Sequence, residues 1–66
     1  MNALEIREKT DAELLELVET RRDELFRLKM KLYTGQLEKQ QELRAVRRDI
    51  ARIHTILRER ELAANA

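Results

Sequence analysis

The chain has 66 residues, 41% of them charged and 42% hydrophobic, a net charge of +1 and a single aromatic pair, Phe26 and Tyr33. This length allows one domain at most, with a thin aliphatic core that is firmest when docked on a partner. With no Cys, a disulfide framework and a thiolate metal site are excluded. No apolar run approaches the roughly 18 residues that span a bilayer, and MNALEIREKT lacks the apolar block of a signal peptide, so a cytosolic protein with no membrane partner is expected.

The near-zero net charge hides an asymmetry. From Met1 to Glu24 eight acids face four bases, whereas from Leu25 onward ten bases face five acids. Such a split raises the expectation of a polyanionic partner for the second half. A salt-bridged helix surface accounts for the same composition about as well.

In chain order, the residues before Thr10 are compatible with a short N-terminal helical turn, Leu4 and Ile6 folding back as a plug. Thr10 to Glu13, T-D-A-E, is a capping-box pattern that starts a helix, and Asp11 and Glu13 place negative charge on its first turn. From there Leu14, Val18, Leu25, Leu28 and Leu32 recur by threes and fours, with Arg21 in the same register. Gly35, the only Gly in a chain without Pro, supplies the left-handed residue that commonly follows a helix C-terminus. A second helix carries Leu43, Val46, Ile50, Ile53 and Leu57 at spacings of three and four.

The two stripes fit each other in reverse. Across an antiparallel seam, paired positions have numbers of constant sum. Leu14 with Leu57, Val18 with Ile53, Leu25 with Val46 and Leu28 with Leu43 satisfy this, and the half-sum falls between Gly35 and Gln36. Ile50 then meets Arg21, which is expected to lay its stem over the seam and leave its head in water. The fold predicted is all-α, a long antiparallel two-helix hairpin forming one domain over 1–66. Its helices run from about 10 to 34 and about 39 to 61, with a turn at about 35–38 and a frayed tail after about 61. A dimer of continuous helices would juxtapose similar residues; Gly35, costing about 1 kcal/mol inside a helix, favours the hairpin.

Enzyme chemistry is poorly supplied. The sequence has no Ser or Cys nucleophile and no glycine-rich phosphate loop, and its one His, His54, has no companion at metal-ligand spacing. His54 is expected to face solvent. No catalytic, cofactor-binding or metal-binding residue and no small-molecule substrate is expected.

The arginines carry more. Arg44, Arg48 and Arg52 follow every four residues and form a row beside the second seam, while Arg47 flanks that seam on its other side. Guanidinium groups bind phosphate bidentately and stay charged, and the row repeats every roughly 6 Å. Ala51 leaves room beside Arg48 and Arg52 for a backbone to approach, and Arg27, Lys31 and Lys39 extend positive charge toward the tip. Tyr33 reads first as a cap on the core at the tip and second as a stacking platform for a base. Phe26 and Met30 are either core residues or the exposed patch of a protein interface. The competing function is therefore a helical-hairpin or coiled-coil protein interaction module without RNA.

With IREKT near the start, TGQL at Thr34 to Leu37 and LRAVRRDIARI from Leu43 to Ile53, the chain resembles the bacterial large-subunit ribosomal protein family numbered twenty-nine, from about Leu4 to Leu57. The resemblance implies an α-hairpin docked on large-subunit ribosomal RNA near the exit of the nascent-peptide tunnel. Its neighbours there would be other ribosomal proteins, including the one numbered twenty-three, in a zone where trigger factor and the signal recognition particle dock. By the matching motifs Arg44, Arg47, Arg48 and Arg52 would contact RNA, joined at the turn by Thr34, Gly35 and Gln36. The acidic first helix, with Glu13, Glu16, Glu19, Asp23 and Glu24, would face away from RNA or toward basic neighbours.

Overall fold

The computed structural model describes residues 1–36 and 40–65. Three helices follow one another: α1 (Ala3–Arg7), α2 (Asp11–Tyr33) and α3 (Gln41–Ala64), with no strand among the described residues. α2 and α3 pack against each other along their length and α1 packs on α3, giving a rod of 47 × 17 × 17 Å. The all-helical hairpin expected from the two apolar stripes is what forms.

The starts of α1 and α2 and the end of α2 each have a local cause. Asn2 caps α1 by accepting the Glu5 N–H at 2.9 Å. α2 opens on a complete capping box: the Glu13 N–H donates to Thr10 Oγ1 at 3.2 Å, and the Thr10 N–H donates back to Glu13 Oε1 at 3.3 Å. The α2 C-terminus closes on Gly35 at φ +75°. There the Gly35 N–H reaches the Leu32 carbonyl at 3.2 Å and the Gln36 N–H the Lys31 carbonyl at 2.8 Å, the two bonds of a Schellman motif. The expected turn at 35–38 and the start of the second helix at about 39 fall partly on residues outside the described ones. α3 runs on to Ala64, past the Glu61 limit read from the pattern. Leu62, Ala63 and Ala64 are strong helix formers with no Gly or Pro among them, so nothing stops the helix there.

The capping box titrates. Hydrogen bonds from the Thr10 N–H and then the Thr10 hydroxyl, with a smaller contribution from Lys9, hold the Glu13 carboxyl below its ordinary value of 4.5. A depressed folded-state value means that the stabilisation is complete above 4.5 and is lost as pH falls through the lower folded value. The parent chain should therefore lose more melting temperature than Glu13→Gln over that acid window, and thermal scans followed by circular dichroism from pH 6 to 3 test it. Parallel losses in the two chains would show that the box contributes nothing.

The core divides into two clusters. At the open end Ile6, Leu14, Val18, Ile53 and Ile56 are buried, flanked by Met1, Leu17 and Leu57. Nearer the tip lie Leu28, Leu43 and Val46, flanked by Leu25 and Ile50. The antiparallel register thus brings Val18 to Ile53 and Leu28 to Leu43 as the seam requires. Four further expectations need correction. Ile56 is buried and Leu57 only half-buried, because α1 covers the α3 flank that bears Ile56. Of the N-terminal plug only Ile6 goes in; Leu4 is 67% exposed, since residues two apart do not share a helix face. Tyr33 is 82% exposed and caps nothing.

The fourth concerns Arg21, between the two clusters. Its head is not left in water: Nη1 donates to Glu24 Oε2 at 2.6 Å, and Nε lies 3.9 Å from Asp49 Oδ2, buried and without a hydrogen-bond partner. Asp49 is also 3.5 Å from the Met1 ammonium group. Arg60 closes the open end. It donates to Asp11 Oδ1 at 2.6 Å and to the carbonyls of Arg7 and Lys9 at 3.0 and 2.8 Å, so one guanidinium fastens the α1–α2 connection to α3.

Candidate nucleic-acid interface

Because Leu43, Val46, Ile50 and Ile53 turn toward α2, the helix period sends Arg44, Arg47, Arg48 and Arg52 outward, and all four are exposed. Arg44, Arg48 and Arg52 form a row with a repeat of about 6 Å. Arg47 lies on the opposite flank, the side on which Arg22 Nη2 sits 3.4 Å from His54 Nε2. His54 is exposed, as expected.

What sets this face apart is the whereabouts of the acids. Between Arg44 and Thr55 the only acid is Asp49, and it is turned inward against Met1 and Arg21. Among the described residues Arg44, Arg47, Arg48 and Arg52 take part in no ion pair, whereas Arg7, Arg21, Arg58 and Arg60 each hold a carboxylate. Arg52 is committed in part: its Nη1 donates to the Met1 carbonyl at 2.7 Å, which fixes the side chain and leaves the rest of its fork outward. Four exposed guanidinium groups that no acid among the described residues neutralises make a surface suited to phosphate oxygens.

The turn offers less. The N–H groups of Gly35 and Gln36 are used within the Schellman motif, and the Thr34 hydroxyl bonds the carbonyls of Met30 and Lys31 at 3.1 and 3.2 Å. Contact with an anion there falls to the Gln36 side chain and to exposed Arg27 and Lys31. Lys39 lies outside the described residues. Phe26 and Met30 are 64% and 47% exposed, so they belong to the surface; with Tyr33 one turn on, they form an apolar stripe along the outside of α2.

Sequence reasoning missed the contribution of α1. Its packing on α3 leaves an open groove of about 240 Å³ lined by Ala3, Ala51 and Ile56 and by Arg7, Arg48 and Arg52. Arg7 and Ala3 come to the arginine row through a tertiary contact that helix periodicity does not encode; the one cue is the pair Leu4 and Ile6 before the Thr10 cap. No group of three His, Cys, Asp or Glu able to hold a metal occurs among the described residues.

Fold and surface together define a class: a small helical-hairpin protein with four exposed arginines on the outside of its last helix that hold no carboxylate among the described residues. The chain belongs to the family described as Ribosomal L29 protein, whose model matches residues 4–60. It is 57% identical over 63 residues to the large ribosomal subunit protein uL29 of Carboxydothermus hydrogenoformans, covering 96% of this chain and 91% of the relative. It is 55% identical over 65 residues to that of Geobacillus stearothermophilus, with 98% of each chain covered. With the corresponding protein of Mycobacterium leprae it shares 52% over 58 residues, 88% of this chain and 72% of the relative. The family is one of ribosomal proteins, not enzymes, and the expectation of a non-enzymatic role rests on that membership.

Proposed function

We propose that this protein is a structural component of the large ribosomal subunit that binds ribosomal RNA through the outer face of α3. The observation that carries the reading is the acid-free surface from Arg44 to Thr55, with Arg44, Arg47, Arg48 and Arg52 exposed and Asp49 withdrawn into the hairpin. Helix-borne guanidinium groups contact phosphates and recognise RNA by shape; no base code and no catalysis are required. The acidic residues of α2 then point to solvent or to basic neighbours. The reading includes a seat near the exit of the nascent-peptide tunnel, in the cytoplasm, with a neighbouring ribosomal protein over Phe26 and Met30 and with trigger factor or the signal recognition particle docking nearby. Family membership and the exposure of that stripe support this finer part.

The test is affinity for large-subunit ribosomal RNA across a salt series, with an unrelated RNA of equal length as control. Four phosphate contacts give a log–log slope of about −3 to −4. Binding that ignores both salt and RNA identity would instead favour the interaction-module reading, in which the α2 stripe meets an apolar groove.

A further inference from the structure

We infer that the groove between α1 and α3 receives one unpaired nucleotide of the bound RNA, its base against Ala3, Ala51 and Ile56 and its phosphate on Arg48 and Arg52. The inference rests on the RNA-binding reading above and names the ligand of one part of that face.

The groove combines features that few other ligands would match together. Its lining is largely methyl and methylene surface, yet three guanidinium groups share it with a single acid, Glu59, and Arg7 already stands 3.5 Å from that carboxylate. An apolar protein side chain entering here would take water from Arg48 and Arg52 and give no anion in return, which is costly. A nucleotide brings both parts at once, a flat ring for the apolar lining and for stacking on guanidinium planes, and a phosphate for the charges. A base inside a duplex is not available in this way; recognition of RNA through side-chain pockets uses residues splayed out of the stack.

Size and rigidity agree. An open groove of about 240 Å³ is large enough to take one heterocycle. The walls are fixed before any ligand arrives: Arg52 bonds the Met1 carbonyl at 2.7 Å, and Arg60 bonds the carbonyls of Arg7 and Lys9. A preformed site of this kind loses little ordering entropy on binding. Thr55, which also lines the groove, donates its hydroxyl proton to the Ala51 carbonyl at 2.9 Å and so offers an acceptor to a base N–H.

Two substitutions narrow the groove from opposite walls without touching a charge, Ala3→Leu and Ala51→Leu. Each should weaken binding to large-subunit ribosomal RNA about tenfold, equal to about 1.4 kcal/mol, and make the salt slope shallower by no more than about one, the share of the single phosphate in the groove. In a second measurement on the full chain, millimolar adenosine monophosphate should shift the methyl resonances of Ala3, Ala51 and Ile56, while the same concentration of inorganic phosphate leaves them in place. Parent-like RNA affinity in both variants overturns the nucleotide site while leaving the RNA-binding reading intact. A loss of affinity with a slope shallower by about two or more also overturns it, because the groove would then be serving several phosphate contacts and not one nucleotide. A parent chain that fails to bind the RNA removes the underlying reading, a result separable from the other two.

Discussion

Ile53→Ala is expected to lower the melting temperature of the hairpin by roughly 10 to 30 °C. Ile53 is fully buried and shares its cluster with Ile6, Leu14, Val18 and Ile56, side chains drawn from all three helices. Truncating a buried Ile to Ala costs about 2–5 kcal/mol, and each kcal/mol moves the midpoint of a domain this small by about 4–8 °C. No helix can move in to refill the space without disturbing the packing of another. Typical stabilities of about 0.05–0.15 kcal/mol per residue leave a chain of this length little reserve, so much of its total is at stake. The contrast with the surface stripe makes the result diagnostic: Phe26→Ala, at a residue 64% exposed, should change stability by about 0.5 kcal/mol or less. Thermal unfolding of both variants by circular dichroism decides the matter. Equal losses at the two positions would mean that the seam does not run where the antiparallel register places it.

That register was legible in the sequence because it depends on local rules and one global constraint. Spacings of three and four marked the two stripes, Thr10 with Glu13 marked the α2 start, and Gly35 marked its end; the constant sum of paired positions set the antiparallel register, and Gly35 favoured a hairpin over a dimer of continuous helices. The misreadings share a physical origin in the placement of α1. A five-residue helix has too little period to show its buried face. The burial of Ile6 was expected from the N-terminal plug, but without the position of α1 the burial of Ile56 and the contact of Arg52 with Met1 had no cue. Arg21 was misjudged for a related reason: its place on the seam was visible in the sequence, but the inward turn of Asp49, which draws the Nε side of its head toward the hairpin while Nη1 holds Glu24, was not. The Arg row itself was plain from four-residue spacing. Its isolation from acids was not, since it depends on where Asp49 points.

The largest functional effect should follow from reversing charge on three of the four outer arginines. Replacing Arg44, Arg47 and Arg48 together with Glu is expected to reduce affinity for large-subunit ribosomal RNA by about a thousandfold or more at moderate salt. Hydrogen bonds to charged groups contribute roughly 1.5–3 kcal/mol each, and three such contacts are not only lost but replaced by repulsion. Arg52 is left in place because its Nη1 holds the Met1 carbonyl, so changing it would mix loss of a contact with loosening of α1. The three replaced side chains are exposed and make no ion pair among the described residues. Glu is nearly as good a helix former as Arg, so helicity and melting temperature should stay close to the parent. The salt slope should become shallower by about two to three, the share of three phosphate contacts. Arg58→Glu supplies the control: Arg58 lies beyond the acid-free segment and already faces Glu61 at 3.5 Å, so its reversal should cost far less affinity. If the triple variant kept parental affinity while remaining folded, the outer face of α3 could not be the RNA-binding surface. The apolar stripe on α2 would then become the interface to pursue.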